Sequence, residues 1–211
     1  MVDDYTDPLA PPPAAPPKKK RSVLLIILAI MAVLMLVCCG VCGFVGYSFK
    51  PTVTKTSQET IALVEKMVTI EIPEFFEAQP NAIEMNNLAF KMRAARFLHK
   101  EGKGQMMLMQ MKLNFGDAKQ QIDFETALKK EDSDQNILID LNNPTSETRT
   151  FTIRGEEVPF EFIAGEDGQQ AKFRQVKGQF PASEGQGLLQ LQLQEEAWDE
   201  AAIEAMLKSI K

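Results

Sequence analysis

The 211 residues suffice for one compact domain with something added. Apolar residues make up 45% and charged residues 25%, a balance that excludes wholesale disorder, collagen and coiled coil, and 3 cysteines are too few for a disulfide scaffold. The net charge of −6 argues against a nucleic-acid binder.

The chain opens with a tail, residues 1–21. Its middle, PLAPPPAAPP over residues 8–17, favours extended polyproline II and blocks helix and sheet. Pro13, Pro16 and Lys18 also fit the outline of a PxxP ligand, a short pattern common in such spacers. The tail ends in the basic cluster Lys18, Lys19, Lys20 and Arg21, and residues 22–49 then carry no charge at all. Val23 to Val37 reads VLLIILAIMAVLMLV, and the apolar run continues through Cys38, Cys39, Cys42 and Phe44 to Val45. As a helix, Val23 to Val45 reaches roughly 35 Å, enough to cross a hydrocarbon core of about 30 Å. A helix satisfies its own backbone hydrogen bonds, so nothing polar need face lipid. Tyr47 and Phe49 stand where interfacial aromatics belong.

Residues 22–49 are therefore expected to be a transmembrane helix. Lys18, Lys19, Lys20 and Arg21 resist translocation and pair with anionic lipid, so they set the topology. The tail stays cytoplasmic and residues 50–211 lie on the far side. Those residues hold 26 acids and 19 bases, the mixed, mildly acidic balance of a soluble lobe. Two processing alternatives stay open. A cleaved signal peptide fits the basic start and apolar stretch, although no A-x-A follows. A lipoprotein signal would put a small residue before the lipidated cysteine, but Val37 precedes Cys38 and Val41 precedes Cys42.

Cys39 and Cys42 make a formal C-x-x-C. A redox pair needs a stabilised thiolate, which lipid surroundings oppose, and zinc needs about four ligands. Packing in a membrane helix is the plainer reading, with lipidation as the lesser one. No cysteine lies beyond Cys42, so the far lobe must be stable without disulfides.

Residues 50–66 read as a linker and short helix. Thr56 and Glu59 can form a capping box, and Ile61, Leu63, Val64 and Met67 recur at helical spacing. The domain proper is expected over 67–211. Met67 to Ile72 (MVTIEI) predicts a strand stopped by Pro73, and 73–86 a loop. Asn87–Lys100 and Gln105–Phe115 flank a Gly-containing tetrapeptide, which predicts a β-hairpin. Asp117 caps a predicted helix over 118–130, with Phe124 and Leu128 on one face. Strands are expected at 136–141, 147–154, 157–163, 170–180 and 187–194. In the last, Leu189, Leu191 and Leu193 share one face and Gln190, Gln192 and Gln194 the other, which predicts one buried and one wetter side. A terminal helix over about 197–209 carries an apolar stripe from Trp198 through Ile203, Met206 and Leu207 to Ile210. Acidic residues at its start and lysines at its end suit the helix dipole. The fold class expected is α+β: a transmembrane helix, then a mainly antiparallel sheet packed with about three helices.

This order resembles the Mog1/PsbP-like α+β sandwich, including its exported DcrB-like members. The resemblance is carried by Val68-Thr-Ile-Glu-Ile-Pro73, by Leu189–Gln194 and by Trp198–Lys211, with Leu207-Lys-Ser-Ile-Lys211 as the helix end, and covers about 60–211. Members usually follow the Ile-Pro with an aromatic-rich Gly-Trp, where this chain has Glu74-Phe75-Phe76. It implies a fold and no particular activity.

No nucleophile elbow, zinc-protease helix or nucleotide loop is present. His99 is the single histidine and sits beside Lys100 at a predicted strand end. Met106, Met107, Met109 and Met111 form the densest unusual cluster. Thioethers can hold Cu(I), but they are also pliable core fillers. The acid pairs Glu156-Glu157, Glu166-Asp167 and Glu195-Glu196 fall at turns or a helix start, where solvated charge explains them. Asp132, Asp134 and Asn136 have the spacing that opens a calcium loop, but Ile137 and Asn143 stand where its Gly and Glu belong. The expectation is thus a membrane-anchored binding or scaffolding protein rather than an enzyme. No cofactor or metal is indicated, and the partners expected are the bilayer and another envelope protein. A cleaved soluble form, a lipoprotein and a tethered enzyme with an unrecognised carboxylate site are the alternatives.

Overall fold

A computed structural model of the chain describes residues 23–48, 51–114 and 138–211. The basic cluster Lys18, Lys19, Lys20 and Arg21, the proline tail, Phe49, the predicted helix over 118–130 and the Asp132–Asn136 motif all lie outside the described residues. The chain divides between Tyr47 and Ser48 into two units.

The first holds all but the last residue of α1, Val23–Ser48, a helix of 26 residues. Its sequence has no charge to interrupt it, and the apolar side chains described along it are exposed, from Ile26 at 52% to Leu36 at 74%. Among the described residues no helix is long and apolar enough to cross a membrane. Within α1 the described side chains are those of residues 26–40, fewer than the roughly 20 a span needs.

The second unit is an α+β domain. Its strands are β1 (Thr52–Val53), β2 (Phe76–Ala78), β3 (Ile83–Asn86), β4 (Phe90–His99), β5 (Gly104–Leu113), β6 (Asn142–Ile153), β7 (Glu156–Glu166), β8 (Lys172–Pro181) and β9 (Gln186–Gln194). Among the described residues its helices are α2 (Ser57–Met67) and α3 (Glu200–Lys208), the latter preceded by a 3-10 turn at Glu195–Ala197. All nine strands belong to one antiparallel sheet, ordered β1-β3-β4-β5-β9-β8-β7-β6, with β2 also pairing β4. Two meanders, β3-β4-β5 and β6-β7-β8-β9, are joined where β5 meets β9. There Met106 stands opposite Leu191 and Leu108 opposite Leu189, all fully buried.

The core lies on one face of this sheet. Period-2 alternation brings Phe97, Met106, Leu108, Phe160, Val176, Leu189, Leu191 and Leu193 to it. Leu63, Val64 and Met67 of α2 and Ile203, Met206 and Leu207 of α3 join the same core. Each such side chain contributes about 1.5–3 kcal/mol by leaving water. Thr56 caps α2 by accepting from the Glu59 amide at 3.2 Å, while Glu59 reaches back to the Lys55 amide at 2.6 Å. The other end is held by a buried arginine. Arg93 on β4 donates to the Lys66 carbonyl at 3.2 Å and to Gln110 Oε1 at 3.0 Å, and its charge is met by Glu84 at 2.8 Å.

The structure corrects several sequence expectations. Residues 68–72 leave α2 through an extended Val68 but, among the described residues, pair with no strand of the sheet. Thr69 exchanges two backbone hydrogen bonds with Lys211 instead, so the MVTIEI pattern seals the domain against its own C-terminus. The loop expected over 73–86 holds β2 and β3. No strand covers 138–141, and β6 starts at Asn142. Trp198 stands before α3 rather than on its stripe, because Asp199 is the cap and accepts from the Ala202 amide at 3.0 Å. The glutamine face of β9 is not wet: Gln190 is 4% exposed and Gln192 6%. Gln192 Oε1 accepts from the Ile139 amide at 2.7 Å and from Gln175 Nε2 at 3.2 Å, so a polar pair is buried by being satisfied.

Two glycines mark where aromatic rings press on the sheet. A Cβ on Gly178 would lie 2.3 Å from the Phe160 ring, its cross-strand neighbour, and one on Gly187 would lie 2.5 Å from Phe180. Gly178→Ala should therefore cost about 1–3 kcal/mol by overpacking, read as a lowered urea midpoint with an unchanged slope. An unchanged midpoint would show that the ring has room.

Candidate functional site

At the β6 end of the sheet the core face becomes charged. Arg149 lies on β6 in line with buried Phe151 and Ile153, and Arg174 lies on β8 in line with buried Val176. Alternation thus carries two more guanidinium groups onto the face that already buries Arg93 and Gln110. The start of α3 meets them. Glu200, in its first turn, accepts from Arg149 on one oxygen; the other accepts from Arg174 at 3.1 Å and from the Trp198 indole N–H at 2.6 Å. Glu204, one turn on, takes a second contact from Arg149 at 3.0 Å, and Glu195 pairs with Arg174 at 2.8 Å. Glu147 also pairs with Arg149.

Aromatic rings hold the flat faces of these cations. The Arg149 Cζ sits 4.3 Å from the Phe162 centroid, and the Arg174 Cζ 5.4 Å from that of Trp198. Phe162 and Trp198 meet edge to face at 6.4 Å. Around them opens a concavity of about 380 Å³, whose lining includes Glu147, Arg149, Phe162, Arg174, Trp198 and Glu200.

Burial is the largest single influence on Glu200 and pushes its carboxyl up. The hydrogen bonds from Trp198 and Arg149, with both guanidinium charges, outweigh it and hold the group below the ordinary carboxylate value. Lys208, by hydrogen bond, holds Glu204 down as well, and Glu200 holds Arg149 up. These carboxylates are ionised acceptors at neutral pH. They suit the gripping of a polar or charged group better than the donation of a proton.

The sequence candidates fall elsewhere. His99 ends β4, half-buried, its ring 5.5 Å from Phe75, and its Nδ1 accepts from the Glu101 amide at 3.2 Å. Met106 is core, while Met107, Met109 and Met111 share the opposite face of β5, half-buried. Glu156 and Glu157 begin β7 just after a turn. Asp167 braces its own turn by accepting from the Gln169 and Ala171 amides. Glu195 and Glu196 split, one to Arg174 and the other to Lys103. Cys38 and Cys39 are exposed on α1. Among the described residues no three His, Cys, Asp or Glu side chains converge as a metal ion would require.

The Arg149–Glu200–Arg174–Trp198 cluster was not foreseen. The available signal was an arginine at an inward register position on each of two strands. No known family model matches the chain, and no curated protein matches it.

Because Glu200 is held below its unfolded value of about 4.3, the stability it contributes is present above that pH and is lost as pH falls through its folded value. Glu200→Gln should therefore lower Tm at pH 7 and flatten the fall in Tm between about pH 5 and 3. Parallel curves for the two proteins would show that the cluster does not couple to folding.

Proposed function

We propose that this chain is a single-pass membrane-anchored protein. Its acidic α+β domain is displayed outside the cytoplasm and works by binding, with the Trp198 concavity as the contact point. The observation that carries the anchor is α1: an uncharged helix whose described apolar side chains stand half or more exposed. Water-facing patches of that kind are rare on soluble monomers and suit lipid. The direction of display rests on Lys18, Lys19, Lys20 and Arg21, which precede the helix in the sequence.

Binding rather than catalysis is supported by the chemistry of the concavity. Its carboxylates are pulled down and its arginines are paired and stacked, so it offers exchangeable ion pairs and aromatic surface. The partner proposed is another envelope protein. Kinship with the Mog1/PsbP-like group remains part of the proposal. It is supported by an antiparallel sheet whose described helices share one core and by the C-terminal helix.

Topology is tested on the full chain carrying a C-terminal tag. The protein should stay in membranes through alkaline carbonate. In intact spheroplasts, protease added outside should remove the tagged lobe. Release by carbonate, or a lobe cut only after detergent, would overturn the reading. The binding half is tested by cross-linking in the same membranes: a neighbour captured by the wild type should be lost with Trp198→Ala, and equal capture would move the contact elsewhere.

A further inference from the structure

The two ends of the sheet are built differently. At one end β1 has 2 residues, β2 has 3 and β3 has 4, so that edge is broken into short pieces. The other end is β6, a strand of 12 residues that, among the described residues, pairs with β7 alone. Natural sheets blunt a long edge with a covering element, inward charges, lysines or prolines. β6 has no lysine. Its single proline, Pro144, lies at the start, within the irregular stretch between Asn142 and Thr145. Beyond it the pairing with β7 is unbroken from Thr145 to Ile153.

The outward hydrogen-bonding groups can be read from the turn. Arg154 and Gly155 both have positive φ and form a two-residue hairpin loop, with Ile153 opposite Glu156. In such a loop the flanking pair is hydrogen-bonded, so odd-numbered residues of β6 bond to β7. Even-numbered residues then point their N–H and C=O away from the sheet. These are Ser146, Thr148, Thr150 and Thr152, all exposed.

We propose that β6 is a self-pairing edge, and that two copies of this chain join antiparallel across a two-fold axis at Thr148 to make one continuous sheet. The sequence is self-complementary about that residue. Ser146 faces Thr150 of the other copy in hydrogen-bonded register, and Glu147 faces Arg149 at both symmetry-related positions. Shifting the axis to Ser146 sets Glu147 against Thr145 and Arg149 against Asn143. Shifting it to Thr150 sets Glu147 against Ile153 and Arg149 against Phe151. Only the Thr148 register sets the ion pair that Glu147 and Arg149 make within β6 against its copy with opposite charges across the strands, and opposite charges directly across a strand pair stabilise it. Two strand edges form an interface smaller than the ~1,000 Å² of stable complexes, so the association is reversible and concentration-dependent.

The test uses the full chain with Cys38→Ser, Cys39→Ser and Cys42→Ser, both in membranes and purified. Thr148→Cys places two thiols at the axis, where paired Cα atoms about 5.5 Å apart are within disulfide range. Thr152→Cys puts them eight register positions apart, out of range. Mild oxidation should give roughly tenfold more cross-linked dimer from Thr148→Cys than from Thr152→Cys. Thr148→Pro removes an outward N–H that β7 does not use, and should leave the monomer folded and abolish concentration-dependent dimer in sedimentation. Equal or absent cross-linking of the two cysteine variants would overturn the proposal. So would a dimer that survives Thr148→Pro, which would place the contact on another surface, or a wild type that stays monomeric and takes up an extended peptide instead.

Discussion

The pairing of β5 with β9 is the constraint on which the domain rests. Each meander alone would expose one side of its hydrophobic face. Joined, they form a surface wide enough for two helices. Met106, Leu108, Leu189 and Leu191 lie at the seam and are fully buried. Because the side-chain period is 2, a one-residue slip at this seam would turn that set to the wrong face. The seam is also pinned by polar groups. Gln110 on β5 receives Arg93 and donates to Ser183 at 3.0 Å and to the Glu184 carbonyl at 2.7 Å. Ser183 in turn donates to the Lys66 carbonyl at 2.6 Å, so α2, β4, β5 and the β8–β9 turn share one network. Satisfied in this way, a buried arginine specifies register rather than weakening the core.

The candidate site is a consequence of the same arrangement. Once α3 is seated by Ile203, Met206 and Leu207, its first turn lies over the charged end of the face, and Glu200 meets Arg149 and Arg174. The partners stand about a third exposed, so water screens the pairs, and their worth to folding is modest. Their value is geometric. A planar guanidinium stacked on Phe162, a second over Trp198 and a carboxylate shared between them present fixed directions to whatever enters the concavity.

Local signals carried much of the fold. The capping residues of α2, the alternation of β9 and the Gly-containing turns between strands are short-range features, and their elements appear where the pattern puts them. Failures came where tertiary partners decide. The Val68–Ile72 alternation is strand-like, yet its neighbour is the C-terminal Lys211, which no local rule reveals. Gln190 and Gln192 look solvated by composition but are buried, and Gln192 and Gln175 both bond to the backbone of Ile139, which returns over that face. The site was less legible still. Arg149 and Glu200 stand 51 positions apart in sequence, and the group is united only by the register of β6, β7 and β8 together with the seating of α3.

Amide hydrogen exchange of the whole chain tests the β5–β9 seam most directly. If the seam makes one cooperative body, amides of β4, β5, β8 and β9 should share the slowest exchange and lose protection together as denaturant is added. Protection that persists through β6 to β9 after β3 to β5 has exchanged would mean that the two meanders fold as separate bodies.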